Sequence, residues 1–276
     1  MHSNFVQAHG PKRYMTPKDI VRRGLLSCVT SPSETEGPYY VSGMPYRADI
    51  TESRPGIPMT LYITILDLST CLAANSSQNV TVEIWHCDFA GIYSHYEEAS
   101  KNVQNPKTDS NIYFRGKVFA NSTGMATFNT IYPGWYTGRD VHIHVRIWQG
   151  TSLRLTSQFS FDDNLTAKVG QIYPYTANTN QRTYLSSDNV FKDNGVLGML
   201  NIVQVDSSNM SAGFDAHVTM GVSLLANATS VSSASSSKSF PISTSIMTTA
   251  MSGHLFSRFH LTWLCVVMIW IMSCLH

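Results

Sequence analysis

Charge is scarce in this chain. Asp, Glu, Lys and Arg make up 13% of its 276 residues and the formal net charge is +1, against roughly a quarter charged in an average globular domain. No stretch gathers base on one face, which excludes nucleic acid as a partner. Lys12, Arg13, Lys18, Arg22 and Arg23 are expected on the polar side of a short N-terminal helix. Thr16-Pro17 would open that helix as cap and first turn, and it would run to about Leu26. Cysteine is scarce too: Cys28, Cys71 and Cys87 fall in the region expected to fold, Cys265 and Cys274 near the C-terminus. Three cysteines allow three single bridges. A Cys71–Cys87 bridge around the loop at 72–79 is the one expected in an oxidising compartment.

Long apolar runs are also missing. Met1–Gly10 holds no apolar stretch of the kind a secretory leader needs, so the chain as written is expected to start downstream of the true start. The longest uncharged apolar run, Leu261–Leu275, has 15 residues, fewer than the roughly 20 of a spanning helix. Residues 229–249 are dominated by Ser, Thr and Ala and read as a disordered stalk. Small residues at Thr248–Ala250, a spacer and an apolar tail match a glycolipid-anchor attachment signal; a tail-anchored membrane helix is the alternative. Either way a membrane is met only through the tail. Asn75, Asn79, Asn121, Asn164, Asn209 and Asn227 fit the N-glycosylation pattern, and an extracellular or cell-surface location is expected. The organisation is thus an extension at 1–27, a folded domain at 28–226, a linker at 227–254 and a tail at 255–276.

Within 28–226 the pattern is that of strands. Leu61, Ile63 and Ile65 alternate with Tyr62 and Thr64, and Val80, Val82 and Ile84 with Thr81, Glu83 and Trp85, the period of two of a strand with one buried face. Lys117–Ala120 and Ala126–Ile131 flank Ser122-Thr123-Gly124, a hairpin signal. Val141–Trp148, Leu153–Phe161 and Ala216–Val222 bring the strands to at least seven, with one helix around Leu165–Ile172. Such a chain is all-β, with two sheets burying a face each against the other in a β-sandwich with long loops.

His142 and His144 project from one face of a strand, roughly 6.7 Å apart at about 3.3 Å rise per residue. Two imidazoles so placed can share a metal ion. Tyr136 and Arg139 precede them closely, and Tyr93 emerges at the end of the Val80–Asp88 strand after Gly91-Ile92. A phenol beside a highly charged cation ionises far below its usual pKa. Two phenolates and two imidazoles carry two negative charges, which suits Fe(III); zinc favours Cys, His and carboxylate. A cupin would want Glu four or five residues after the second His, where Trp148 and Gln149 stand.

Several segments occur together: Thr35-Glu36-Gly37-Pro38-Tyr39-Tyr40; Val82 to Asp88 with Gly91-Ile92-Tyr93; Pro133-Gly134-Trp135-Tyr136; Arg139-Asp140-Val141-His142-Ile143-His144; and Ser157-Gln158-Phe159. In these the chain resembles the intradiol ring-cleavage dioxygenases, the catechol and protocatechuate dioxygenase superfamily, and most of all its secreted fungal-type members. The resemblance implies a non-haem Fe(III) enzyme that uses O2 to open a catechol-type aromatic to a muconate-type diacid, without an organic cofactor. It implies Tyr93, Tyr136, His142 and His144 as iron ligands, with Tyr136 displaced by substrate. Arg139 would stabilise negative charge on the ring, and Gln158 would hydrogen-bond near the same oxygens. Tyr39, Tyr40 and Trp135 would line an aromatic pocket. Only Thr137 and Gly138 separate Tyr136 from Arg139, where protocatechuate-cleaving members have a longer loop, so simple catechols, hydroxyquinols and plant polyphenols are the expected substrates. The alternative is a non-catalytic cell-surface β-sandwich that keeps the scaffold.

Overall fold

The computed structural model describes residues 29–96, 108–193 and 195–225. The expected N-terminal helix, the 227–254 linker, the 255–276 tail, Cys28 and Asn227 lie outside these residues. Among the described residues no helix is long and apolar enough to cross a membrane.

Two sheets pack face to face, as the alternation predicts. The first is built on β1 (Pro58–Asp67), whose Met59, Leu61, Ile63 and Ile65 are buried while the residues between them are half-exposed. On one side β1 pairs antiparallel with β5 (Met125–Ile131) and, at its end, with the two-residue β2 (Leu72–Ala73). On the other it pairs parallel with β9 (Phe214–Val222), which carries the edge strand β8 (Asn201–Gln204). The second sheet is antiparallel throughout, in the order β4 (Arg115–Phe119), β3 (Val80–Trp85), β6 (His142–Gln149), β7 (Ser152–Ser160). Ile, Val, Leu and Phe from both sheets form one core, and each such side chain contributes about 1.5–3 kcal/mol by its burial.

Strands β2 and β8 are too short to show a period in the sequence. The expected helix runs Asp163–Val169 as α1, capped by the Asp162 side chain accepting from Leu165 N. The turn at Ser122-Thr123-Gly124 forms, held by Asn121 Oδ1 accepting from Thr123 N and Met125 N, but it is not a hairpin. β4 pairs with β3, and β5 pairs with β1 in the opposite sheet. The buried residues of β5 complete the face of β1, so the chain arches between sheets. The expected Cys71–Cys87 bridge is also absent. Cys87 is a free, buried thiol packed with Trp85, Tyr93 and Tyr136, whereas Cys71 is disulfide-bonded.

β3 departs from simple alternation, because all six of its residues are buried. Val82 and Ile84 face the core, while Glu83 and Trp85 face a second, smaller cluster covered by the segment that carries Tyr39 and Tyr40. That second face holds the site. Directly opposed residues of antiparallel strands share a face; Trp85 opposes His144, and His144 opposes Gln158.

Candidate metal centre and active site

Four side chains from three separate segments converge. Tyr93 Oη lies 3.0 Å from His142 Nε2 and 3.1 Å from His144 Nε2. The two Nε2 atoms are 3.1 Å apart, and Tyr136 Oη is 3.4 Å from His142 Nε2. A point central to atoms spaced this way lies about 2 Å from each, the length of a metal–nitrogen or metal–oxygen bond. Among the described residues no three of His, Cys, Asp or Glu gather elsewhere or here; the convergent set is two imidazoles and two phenols.

Local chemistry explains how each arrives. Asp88 Oδ1 accepts from Ala90 N and Ile92 N, closing the turn that ejects Tyr93. Gly91 sits at φ +83 with its Cα against Trp135 O, where a Cβ would come within 2.3 Å, so only glycine lets the Tyr93 loop lie on the Tyr136 loop. Asn178 and Asn180 donate to carbonyls of both loops, at Phe89, Ala90 and Trp135, and lock them together. His142 donates Nδ1–H to Asp140 O at 2.6 Å; a carbonyl only accepts, so Nε2 keeps its lone pair for the centre. His144 is fixed by packing, stacked on Trp85 at 4.8 Å with Gly37 close against its Cε1. Its Nδ1 has no hydrogen-bond partner among the described residues.

Burial holds both imidazoles neutral by pushing their pKa well down, with Arg139 adding to the effect, and pushes both phenols well up. Four buried lone-pair donors therefore face one another with no carboxylate among them. A multiply charged cation reverses the phenol shifts and turns the set into two anionic oxygens and two neutral nitrogens. The set fits a hard, highly charged metal ion.

Around the donors, Arg139 gives Nε to Asp188 Oδ2 at 2.9 Å and Nη2 to Gln158 Oε1 at 2.6 Å. Gln158 in turn gives Nε2 to Thr35 O at 2.7 Å, so both of its polar atoms engage the protein. Tyr39 packs 4.6 Å from the Tyr93 ring and edge-on to Tyr136. Tyr40 lies farther out, between Trp85 and the Arg146 guanidinium, its hydroxyl toward Glu83. Trp135 is not brought to this cluster; its indole packs in the main core and donates to Asn180 O. Sequence reasoning missed Asp188 and the fully buried Arg115, which lies over the Tyr93 ring and donates to Ser94 Oγ, Ser94 O and Tyr39 O.

A dioxygenase family model matches residues 35–190. An intradiol ring-cleavage dioxygenase from Tetranychus urticae superposes with a TM-score of 0.63 at 28% identity, over 71% of this chain and 95% of that one. The dioxygenase domain of a carbohydrate-binding fusion from Streptomyces sp. SirexAA-E shares the fold, with a TM-score of 0.52 at 23% identity over 71% of this chain and all of that domain (100%). A catechol 1,2-dioxygenase 1 from Acinetobacter lwoffii is 23% identical over 155 residues, covering 48% of this chain; the match spans about half of that protein (46%).

Proposed function

Because the chain belongs to the intradiol ring-cleavage dioxygenase family, we propose that it opens a catechol-type ring between its two hydroxyl-bearing carbons. Both atoms of O2 enter the product, a cis,cis-muconate-type diacid. The observation that carries this reading is the convergence of Tyr93, Tyr136, His142 and His144 on one point. We infer that these four hold a ferric ion, because two phenolates offset most of its charge in a buried site. Held there, a ferric ion would supply the Lewis acidity that draws electron density from a catechol and makes its ring reactive toward triplet O2.

The protein's own groups then have distinct tasks. Tyr136, the more exposed of the two phenols at 7%, gives way to substrate, and its Oη takes up a catechol proton. Arg139 has Nε and Nη2 tied to the protein, which leaves Nη1 for negative charge on the ring; a fixed charge in a site shielded from water acts strongly. Gln158 orients Arg139 rather than the substrate. Tyr39 packs the approach with an aromatic wall.

We also place the protein outside the cell or on its surface, with the C-terminal signal serving a glycolipid anchor. The reading is supported by the disulfide at Cys71 and by the exposure of Asn75, Asn79, Asn121, Asn164 and Asn209. The activity is tested by O2 uptake with catechol and product identification: one O2 consumed per muconate formed supports the proposal, and an extradiol aldehyde or no uptake overturns it.

A further inference from the structure

We propose that Arg115 is a positioning residue for the Tyr93 donor: it bolts the Tyr93 loop to the Tyr39 segment and sets a fixed positive charge against the Tyr93 ring. The inference rests on the four-donor reading above.

β4 puts Arg115 opposite Trp85, on the face that holds the site, and the residue is 1% exposed. Its planar fork serves two segments at once. Nε donates to Ser94 Oγ and Nη2 to Ser94 O, both at 2.8 Å, in the residue that follows Tyr93. Nη1 donates to Tyr39 O at 2.7 Å, and the Tyr39 ring packs 4.6 Å from the Tyr93 ring. One side chain therefore fixes a donor and the wall beside it.

The charge has a separate role. All three acceptors are uncharged, and a guanidinium taken out of water is destabilising unless an anion offsets it. Among the described residues no carboxylate forms an ion pair with Arg115; Glu83 and Asp109 act on it from beyond that distance. Its guanidinium stands over two rings, Tyr93 at 5.8 Å and Tyr96 at 5.9 Å. Tyr96 donates its hydroxyl proton to Tyr40 O and stays neutral. Tyr93 is then the anion that Arg115 meets when a ferric ion is held. Arg139 also faces Tyr93, but it is already paired with Asp188.

Light that moves an electron from the Tyr93 ring to the metal moves it away from Arg115. The guanidinium stands over the ring, whereas the shared point lies past the hydroxyl. The charge of Arg115 thus raises the energy of that band.

The test reads the visible band of the iron-loaded full chain in two variants. Arg115→Gln keeps a donor and loses the charge; Arg115→Lys keeps the charge and loses the fork. The glutamine variant is expected to move the band to longer wavelength by on the order of 10 nm, the size of one charge at this separation, and the lysine variant to return it. In a Tyr136→Phe background, where Tyr93 is the remaining phenolate, the shift should persist; in a Tyr93→Phe background it should vanish. A band that neither substitution moves, or that both move alike, overturns the proposal and leaves ring cleavage standing. If the glutamine variant does not fold, the lysine variant decides: a band at the wild-type wavelength supports the proposal and a displaced one overturns it. A wild-type chain that stays colourless with iron overturns the proposal together with the four-donor centre.

Discussion

Arg139 and Asp188 form a buried ion pair, Nε to Oδ2 at 2.9 Å, and the same carboxylate oxygen accepts from Asp140 N at 2.6 Å. Asp140 O in turn accepts from His142 Nδ1. One carboxylate, on a loop far along the chain, therefore orients both the Arg139 guanidinium and the peptide that sets a histidine tautomer.

Asp188→Asn keeps the shape and removes the charge. Loss of an orienting partner at a metal site typically costs about 10–100-fold in activity, and ring opening should fall by that factor with iron content retained. Leaving Arg139 without its partner should also destabilise the fold by about 3 kcal/mol. Iron per chain and O2 uptake, read together, check this; loss of iron in step with activity would contradict the assignment.

Arg139→Ala acts on the transition state and not on the donors. Iron should stay bound, while turnover drops about 100-fold or more, as when an oriented charge is removed from a catalytic site. Tyr136→Phe should do the reverse in part, weakening the visible band and slowing turnover through the donor set. The two spectra side by side separate the roles.

Gly37 sits at φ +75, and a Cβ there would meet His144 Cε1 at 3.0 Å. Gly37→Ala should cost about 1–2 kcal/mol for the backbone alone and push the imidazole off the shared point. Iron affinity should fall more than stability does, which metal titration beside chemical denaturation would reveal.

The metal-free protein should lose stability as pH falls below 6.5. His86, buried and pushed down to about 4, stays neutral when folded, as do His142 and His144. The unfolded chain protonates all three near 6.5, so folding becomes harder on acidification, by about 1.4 kcal/mol per pH unit for each. Asp140, raised by burial to about 7, works in the opposite sense: folded, it holds a proton that the unfolded chain releases down to about 4. These four groups together should give a slope between pH 6 and 5 nearer two protons than three, and the raised carboxyls of Glu83 and Asp88 act in the same sense as Asp140. A denaturation midpoint that stays flat over that range would contradict this balance.

Much of this was legible in the sequence because a strand repeats every two residues. The alternation in Leu61–Ile65, Val80–Trp85 and Val141–Trp148 gives strands and faces, and His142 and His144 share a face for the same reason. Tyr93 was reachable because it follows a strand end directly. Asp188, Asn178 and Asn180 were not. They lie in a stretch of short 3-10 turns with no period, and their importance comes only from the loops they meet in space. Trp135 shows the converse: its neighbour Tyr136 reaches the centre, but successive side chains point opposite ways, and the indole falls into the core.

The most direct measurement is the visible absorption of the purified chain after addition of ferric iron. Two phenolates bound to one ferric ion should give a burgundy protein with one iron per chain, and Tyr93→Phe and Tyr136→Phe should each diminish the band. A colourless protein, or bound iron whose spectrum neither substitution changes, would contradict the four-donor centre.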